Sequence, residues 1–405
     1  MLEAESSLHP RTLRYKGHIP GLDVLRGVAI LVVVLFHGFA ISWQELRGLP
    51  RIAHFLIHFG YTGVHLFFLL SGFLITGILL DSKDQEGYYR NFYIRRALRI
   101  LPAYLLMLVV LKAWLPISWK YLLACLLYIA NMARLVGGNI NEYSGFWSLA
   151  VEEQFYLIWP TVVRRSSHRS LLKIVAACIV ICPLLRGTAA FFPGVDNRYK
   201  TWMNADYLLY GAAISLALRE GLIHTDNIRK FVAALLAASV PLVGLSMYLY
   251  TIEPDHRWAG IIFASVGLLP FMGLYAAMLL IAIATNEGTK SEATVKRLPH
   301  LRFLSFFGYI SYGLYLVHPF VWEKYSRAVT GTWLANTFSL TSEFVGFLIA
   351  ASISVSIAYL SRRFFEDPIL RMKTMLAPSA KKQRLAAVPA ALPAKGQLQP
   401  TIKNS

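Results

Sequence analysis

Arg26 and His37 stand eleven residues apart inside one apolar stretch, GLDVLRGVAILVVVLFHGFA, residues 21–40. An ionisable side chain inside a membrane-length helix costs roughly 2.5–3.5 kcal/mol on insertion scales, so such residues are functional candidates by default. Eleven helical steps turn about 1100°, three turns plus roughly 20°, and rise about 16 Å. Both side chains therefore share one face. That pattern describes a polar lane with a cation at its mouth and a titratable base further in.

Other chemistry-bearing residues cluster in or beside apolar stretches. Arg95, Arg96 and Arg99 open the third such stretch, with Pro102 behind them. Ordinary cytoplasmic anchoring explains an isolated arginine pair. An anion clamp is the functional reading, because guanidinium forks match phosphate oxygens. Ser148, Glu152 and Tyr156 are spaced by four and line one helix face, with Glu153 about 100° away. One acid there complements a helix N-terminus; two adjacent acids leave one for orienting a histidine or binding a substrate hydroxyl. Ser311, Tyr315 and His318 share a face near Pro319, where structural and substrate-contacting roles weigh equally. His65 faces either a cavity or the outer interface, and Ser71-Gly72 fits close helix packing. Cys125, Cys178 and Cys182 all sit in apolar segments, read as packing residues with no disulfide framework or zinc spacing. No Gly-x-Ser-x-Gly elbow, phosphate-binding Gly-rich loop or His-Glu-x-x-His pair occurs.

The elements that must carry these residues follow from composition. Of 405 residues, 56% are hydrophobic and 15% charged, far from a soluble domain. Apolar stretches recur at about 22–42, 58–80, 100–115, 146–163, 171–192, 202–218, 230–251, 258–285, 304–323 and 340–362. The chain thus reads as an all-α polytopic membrane protein of about ten helices. The segment 119–134 is short, and loop charge arbitrates it. Leaving it as a re-entrant or interfacial piece, or pairing it with a span hidden in 135–150, puts Lys83, Arg90, Arg164, Arg165, Arg219, Arg229, Lys296 and Arg297 on one side. Both termini are then cytoplasmic. Counting it as a full span inverts every later loop. The net charge of +18 is accounted for by these loops and the tail, so nucleic acid is not an expected partner. The expected organisation is a cytoplasmic N-terminal tail over 1–20, a membrane domain over 21–370, and a basic, disordered tail over 371–405 that touches anionic lipid.

These residues together resemble the membrane-bound acyltransferase-3 family, whose members O-acylate surface polysaccharides, glycolipids and some antibiotics. The likeness covers about residues 20–370. Its motifs are Arg26 with His37; Phe67, Phe68, Ser71, Gly72 and Phe73; Arg96, Arg99 and Pro102; Ser148, Leu149 and Glu152 running into Phe155-Tyr156; Ser311, Tyr312, Tyr315 and His318; and Phe365-Glu366-Asp367-Pro368. Each is weak alone, and six in order are specific. His65 departs from the acid or small residue many members carry there. Many members also append an extracytoplasmic esterase-like domain, which these 405 residues do not contain.

The resemblance implies a multi-pass protein of the bacterial plasma membrane. It implies an acyl-CoA donor, acetyl-CoA by default, on the cytoplasmic side, with no metal. The acceptor is a hydroxyl of a saccharide, glycolipid or secondary metabolite. In this reading Arg26, Arg96 and Arg99 hold the CoA phosphates, and His37 is the general base, for which an ordinary histidine pKa of about 6.5 is suited. Glu152 holds the imidazole tautomer or the acceptor, Ser148 and Tyr156 donate to the oxyanion, and Glu153, Tyr315 and His318 contact substrate. A covalent acyl-histidine relay stays open. The competing class is an ion-coupled transporter or flippase, which buried Arg, His and Glu would also suit.

Overall fold

A computed structural model describes residues 18–39, 57–192, 199–253, 255–286, 289–329 and 339–377. The expected N-terminal tail, apart from its last three residues, and the expected C-terminal tail beyond Ala377 lie outside the described residues. Every regular element among the described residues is helical. In chain order these are α1 (Pro20–Phe39), α2 (Gly63–Asp81), α3 (Tyr88–Trp114), α4 (Trp119–Leu126), α5 (Trp147–Arg165), α6 (His168–Phe191), α7 (Thr201–Arg219), α8 (Ile228–Ile252), α9 (Arg257–Val266), α10 (Leu269–Ala284), α11 (Thr289–Arg297), α12 (Pro299–Val329), α13 (Ser339–Leu360), a π-helical turn (Ser361–Glu366), α14 (Asp367–Arg371) and α15 (Lys373–Leu376).

Eight spans are long and apolar enough to cross a membrane: α1, α2 with its preceding turn, α3, α6, α8, α9 with α10, α12, and α13 running on to Arg371. The two other expected spans are also helices, α5 and α7, 19 residues each. Their lower apolarity has a cause. Both carry charged or amide groups that neighbouring helices cover, so they are shielded from lipid by protein. The span expected at 258–285 is two helices broken at Gly267-Leu268. α3 begins twelve residues before the expected 100, because its basic residues extend the helix beyond the apolar stretch. α4 has 8 residues, about 12 Å, against the roughly 30 Å of hydrocarbon a span must cross. Ser118 caps it, accepting from Tyr121 N (3.1 Å), and Glu142 accepts from the Ser118 hydroxyl (2.8 Å) and amide (2.7 Å). Short 3₁₀ turns follow at Ala130–Val136, Ile140–Glu142 and Ser144–Phe146, so no span hides in 135–150.

Two close helix pairs set the frame. α1 runs along α12, and α2 along α7. At the first crossing a Cβ on Gly27 would collide with the Leu304 carbonyl, and one on Gly308 with the Asp23 carbonyl. At the second, Gly72 meets the Leu208 carbonyl and Gly211 the Leu69 carbonyl. Backbone-to-backbone contact through small residues is how membrane helices pack without a hydrophobic driving force. Polar ties then fasten α5 and α3 to these pairs: Trp159 Nε1 of α5 donates to Thr76 Oγ1 of α2 (2.9 Å), and the Tyr312 hydroxyl of α12 donates to the Ile100 carbonyl of α3 (2.9 Å).

Candidate active site

A cavity of about 540 Å³ lies where α1, α2, α3, α5, α12 and the segment from Leu370 to Ala377 meet. Its walls are apolar over Val64, Phe67, Phe68, Leu74 and Leu149. Its charged lining is Arg26, Arg95, Arg96, Arg99 and Lys373 against Glu152, five cations to one carboxylate. An excess of four positive charges in a low-dielectric enclosure selects a polyanion.

The arginines are held differently. Arg26 donates to Asp23 Oδ1 (3.0 Å), and Asp23 also pairs with His18 (2.6 Å), so the α1 cation is partly neutralised. Arg95 directs Nε (3.2 Å) and Nη2 (2.9 Å) at the Ala377 carbonyl. Arg96 lies over the Tyr156 ring, 4.7 Å from its centroid, a cation–π contact. Arg99 makes no hydrogen bond or ion pair among the described residues, which leaves its donor fork for a ligand.

Deeper in, Glu152 accepts from Ser71 Oγ (2.8 Å), and Ser148 Oγ and Tyr315 Oη share a hydrogen bond of 2.5 Å. Ser148, Glu152 and Tyr156 do form one face of α5, turned to the cavity together with Ser311, Tyr312 and Tyr315 of α12. Glu153 is not part of that lining.

His37 is half-buried and is not part of the lining either; it lies beyond Tyr315. Its neighbour is His318, one helical turn past Tyr315. The ring centroids of His318 and Tyr315 are 5.8 Å apart, and those of His37 and His318 are 5.0 Å apart. His37 Nδ1 is 2.9 Å from the Val33 carbonyl, and His318 Nδ1 is 2.8 Å from the Leu314 carbonyl. A carbonyl only accepts, so each Nδ1 carries the proton in the neutral ring and each Nε2 is the bare nitrogen. Glu152, expected to hold the imidazole or the acceptor, accepts from Ser71, and His318, expected to contact substrate, is buried against His37.

Three contributions to the cavity go beyond the sequence expectation. Lys373 and Ala377 come from a region read as disordered tail; a helix continues to Leu376 and returns to the cavity mouth. Ser71 and Gly72 both read as packing residues in the sequence; Gly72 packs against Leu208, and Ser71 holds Glu152. The sequence pattern favours Arg96 and Arg99 as the clamp, and Arg95 lines the cavity with them. Elsewhere, Arg186 of α6 pairs with Asp206 of α7 through two 2.8 Å bonds and lies over the Tyr207 ring. Both are ionisable residues inside helices, the same signal that marks His37. His65 is buried with its ring against Tyr207 (4.4 Å), away from the cavity. The three cysteines are free, with Cys125 and Cys182 buried. Among the described residues no cluster of three or more His, Cys, Asp or Glu side chains is arranged to hold a metal.

A family model described as an acyltransferase domain, that of the acyltransferase-3 family, matches residues 19–363. Among curated proteins, the putative peptidoglycan O-acetyltransferase YrhL of Bacillus subtilis is 30% identical over 74% of this chain and 48% of its own. The peptidoglycan O-acetyltransferase OatA of Listeria monocytogenes is 28% identical over 89% of this chain and 57% of its own. The O-acetyltransferase OatA of Staphylococcus aureus is 27% identical over 87% of this chain and 57% of its own. The chain therefore spans about half the length of the curated relatives it matches. No solved structure matches it significantly.

Proposed function

The chain belongs to the acyltransferase-3 family, and on that premise we propose that it is a membrane O-acetyltransferase. It takes an acetyl group from acetyl-CoA and places it on a hydroxyl of a cell-envelope saccharide, peptidoglycan being the acceptor named for two of its relatives. The bacterial plasma membrane is its site, with the cation-lined mouth of the cavity on the cytoplasmic side, where the positive-inside rule puts the N-terminus and the 82–87 loop.

The single observation that carries this reading is the cavity itself: five cations to one carboxylate at one end, and apolar walls leading inward. CoA has matching chemistry, phosphates at one end and a long, uncharged pantetheine arm ending in the thioester. Arg99, whose fork is unengaged among the described residues, is the leading phosphate ligand, with Arg96, Arg26, Arg95 and Lys373 around it. The thioester arm then runs between α2, α5 and α12 toward Tyr315, beyond which His37 lies. His37 Nε2 removes the proton of the acceptor hydroxyl as its oxygen attacks the thioester carbon. The carbonyl electron pair moves to oxygen, and the hydroxyls of Ser148, Tyr315 or Tyr156 donate to that oxyanion. Collapse expels the CoA thiolate, which takes the proton back from the His37 imidazolium. Glu152, fixed by Ser71, has a second acceptor oxygen for a sugar hydroxyl.

The test is transfer of radiolabelled acetyl from acetyl-CoA to peptidoglycan fragments by the full chain in nanodiscs. Wild type should label the acceptor. His37→Ala at equal protein level should lose roughly 100- to 10,000-fold, the range for a general base. Unchanged transfer by His37→Ala removes the base assignment. Absence of labelling by wild type, with solute uptake into proteoliposomes, would instead support a transporter.

A further inference from the structure

His318 is 1% exposed, does not line the cavity, and among the described residues the one side chain within hydrogen-bond distance of it is His37. A buried polar residue in a span needs a reason. Packing alone does not supply one, because a phenylalanine or leucine would fill the volume without a desolvation cost.

Its hydrogen bonds show what it offers. The Leu314 carbonyl accepts from Nδ1–H, so Nε2 carries the lone pair and is left for a partner off that helix. That lone pair is 3.4 Å from His37 Nδ1, whose own proton is directed at the Val33 carbonyl. The His37 N–H is thus shared between two acceptors on two helices, Val33 O from α1 and His318 Nε2 from α12. Among the described residues no carboxylate hydrogen-bonds the His37 ring.

We propose that His318 is a positioning residue for His37: its Nε2 accepts from His37 Nδ1–H, fixes the ring so that His37 Nε2 meets the acceptor hydroxyl, and steadies the imidazolium formed in the reaction. This rests on the reading of His37 as the base. When His37 Nε2 gains the acceptor proton, the charge spreads to Nδ1–H, which becomes a stronger donor to both acceptors. His318 stays neutral throughout, and no net proton is consumed, since the thiolate recovers the one taken. A neutral acceptor suits a site inside a membrane. It orients the base as a carboxylate does elsewhere, without a second buried charge to desolvate.

The test compares His318→Phe, which keeps the ring volume and loses the acceptor, with His318→Gln, which puts an amide oxygen near the position of Nε2. The full chain in nanodiscs is read in two ways. Modification of His37 by diethyl pyrocarbonate, followed by mass spectrometry, measures its nucleophilicity with no substrate present. Acetyl transfer from acetyl-CoA separates kcat from KM. In His318→Phe, kcat should fall roughly 10- to 100-fold, the scale of one hydrogen bond to a charged group, with KM for acetyl-CoA within about twofold. His37 modification should slow in parallel, and His318→Gln should restore most of both. Equal modification rates in wild type and His318→Phe, or a Gln variant no better than Phe, would overturn the proposal. Should the Phe variant fail to insert, His318→Met supplies the same comparison. A wild type that transfers no acetyl overturns the acetyltransferase reading alone, because the modification rates still judge His318.

Discussion

Arg99 is the residue on which the anion site turns. Its neighbours spend part of their capacity inside the protein: Arg26 on Asp23, Arg95 on the Ala377 carbonyl, Arg96 on the Tyr156 ring. Arg99 alone of the four makes no such contact among the described residues. Hydrogen bonds to charged groups contribute about 1.5–3 kcal/mol, so Arg99→Ala should raise KM for acetyl-CoA roughly 10- to 100-fold. KM for the acceptor should change little. The same variant should lose the rise in melting temperature that CoA gives the wild type, since a ligand stabilises only the state it binds. Arg99→Lys should recover part of the affinity, a point charge replacing a planar fork. An acceptor KM that rises more than the donor KM would reassign the residue.

At the scale of elements, the α1–α12 crossing decides whether the two histidines meet. Gly27 and Gly308 let the backbones touch near one end of this pair, and His37 and His318 face each other nearer the other end. A methyl group at Gly308 would have to displace the Asp23 carbonyl, which cannot rotate away. Gly308→Ala should therefore cost about 1–3 kcal/mol, the usual range for overpacking, and spread the helices. The measurable outcome is a lower melting temperature together with reduced transfer, while His318→Gln keeps the melting temperature. A Gly308→Ala variant with wild-type stability and rate would show that the close crossing is dispensable. α5 has a comparable role for the cavity. Its polar face is legible from the spacing of Ser148, Glu152 and Tyr156, yet which neighbours that face meets is a matter of packing.

For the molecule as a whole, the arrangement has a direction. Arg26 at the start of α1, Arg95, Arg96 and Arg99 in the first half of α3, and Lys373 near the end of the described chain gather at one end of the cavity. The His37–His318 pair sits in the last turn of α1 and about two-thirds of the way along α12, away from that end. If the cationic end is cytoplasmic, Glu86→Cys should react with a membrane-impermeant maleimide only after the cells are permeabilised. Asp255→Cys, between α8 and α9, should react in intact cells. The opposite pattern would place the donor site outside the cytoplasm and exclude cytoplasmic acetyl-CoA as its ligand.

Much of this was legible in the chain itself. Membrane-spanning helices follow from apolar length, because hydrocarbon demands about twenty apolar residues whatever the fold. Arg26 and His37 share a face because helical periodicity is local, and the late position of Ser311, Tyr315 and His318 on one face follows likewise. Contacts between helices are not local. That His37 meets His318 and not Glu152, that Ser71 binds Glu152, and that Lys373 closes the cavity from a region that reads as tail all depend on which helices lie side by side. Those choices are made by glycine contacts such as Gly27 with Leu304 and by hydrogen bonds such as Tyr312 with Ile100, between residues more than two hundred positions apart. Residue types and periods determined which side chains were available for chemistry; tertiary packing decided their partners, because a hydrogen bond depends on distance in space and carries no mark in sequence spacing.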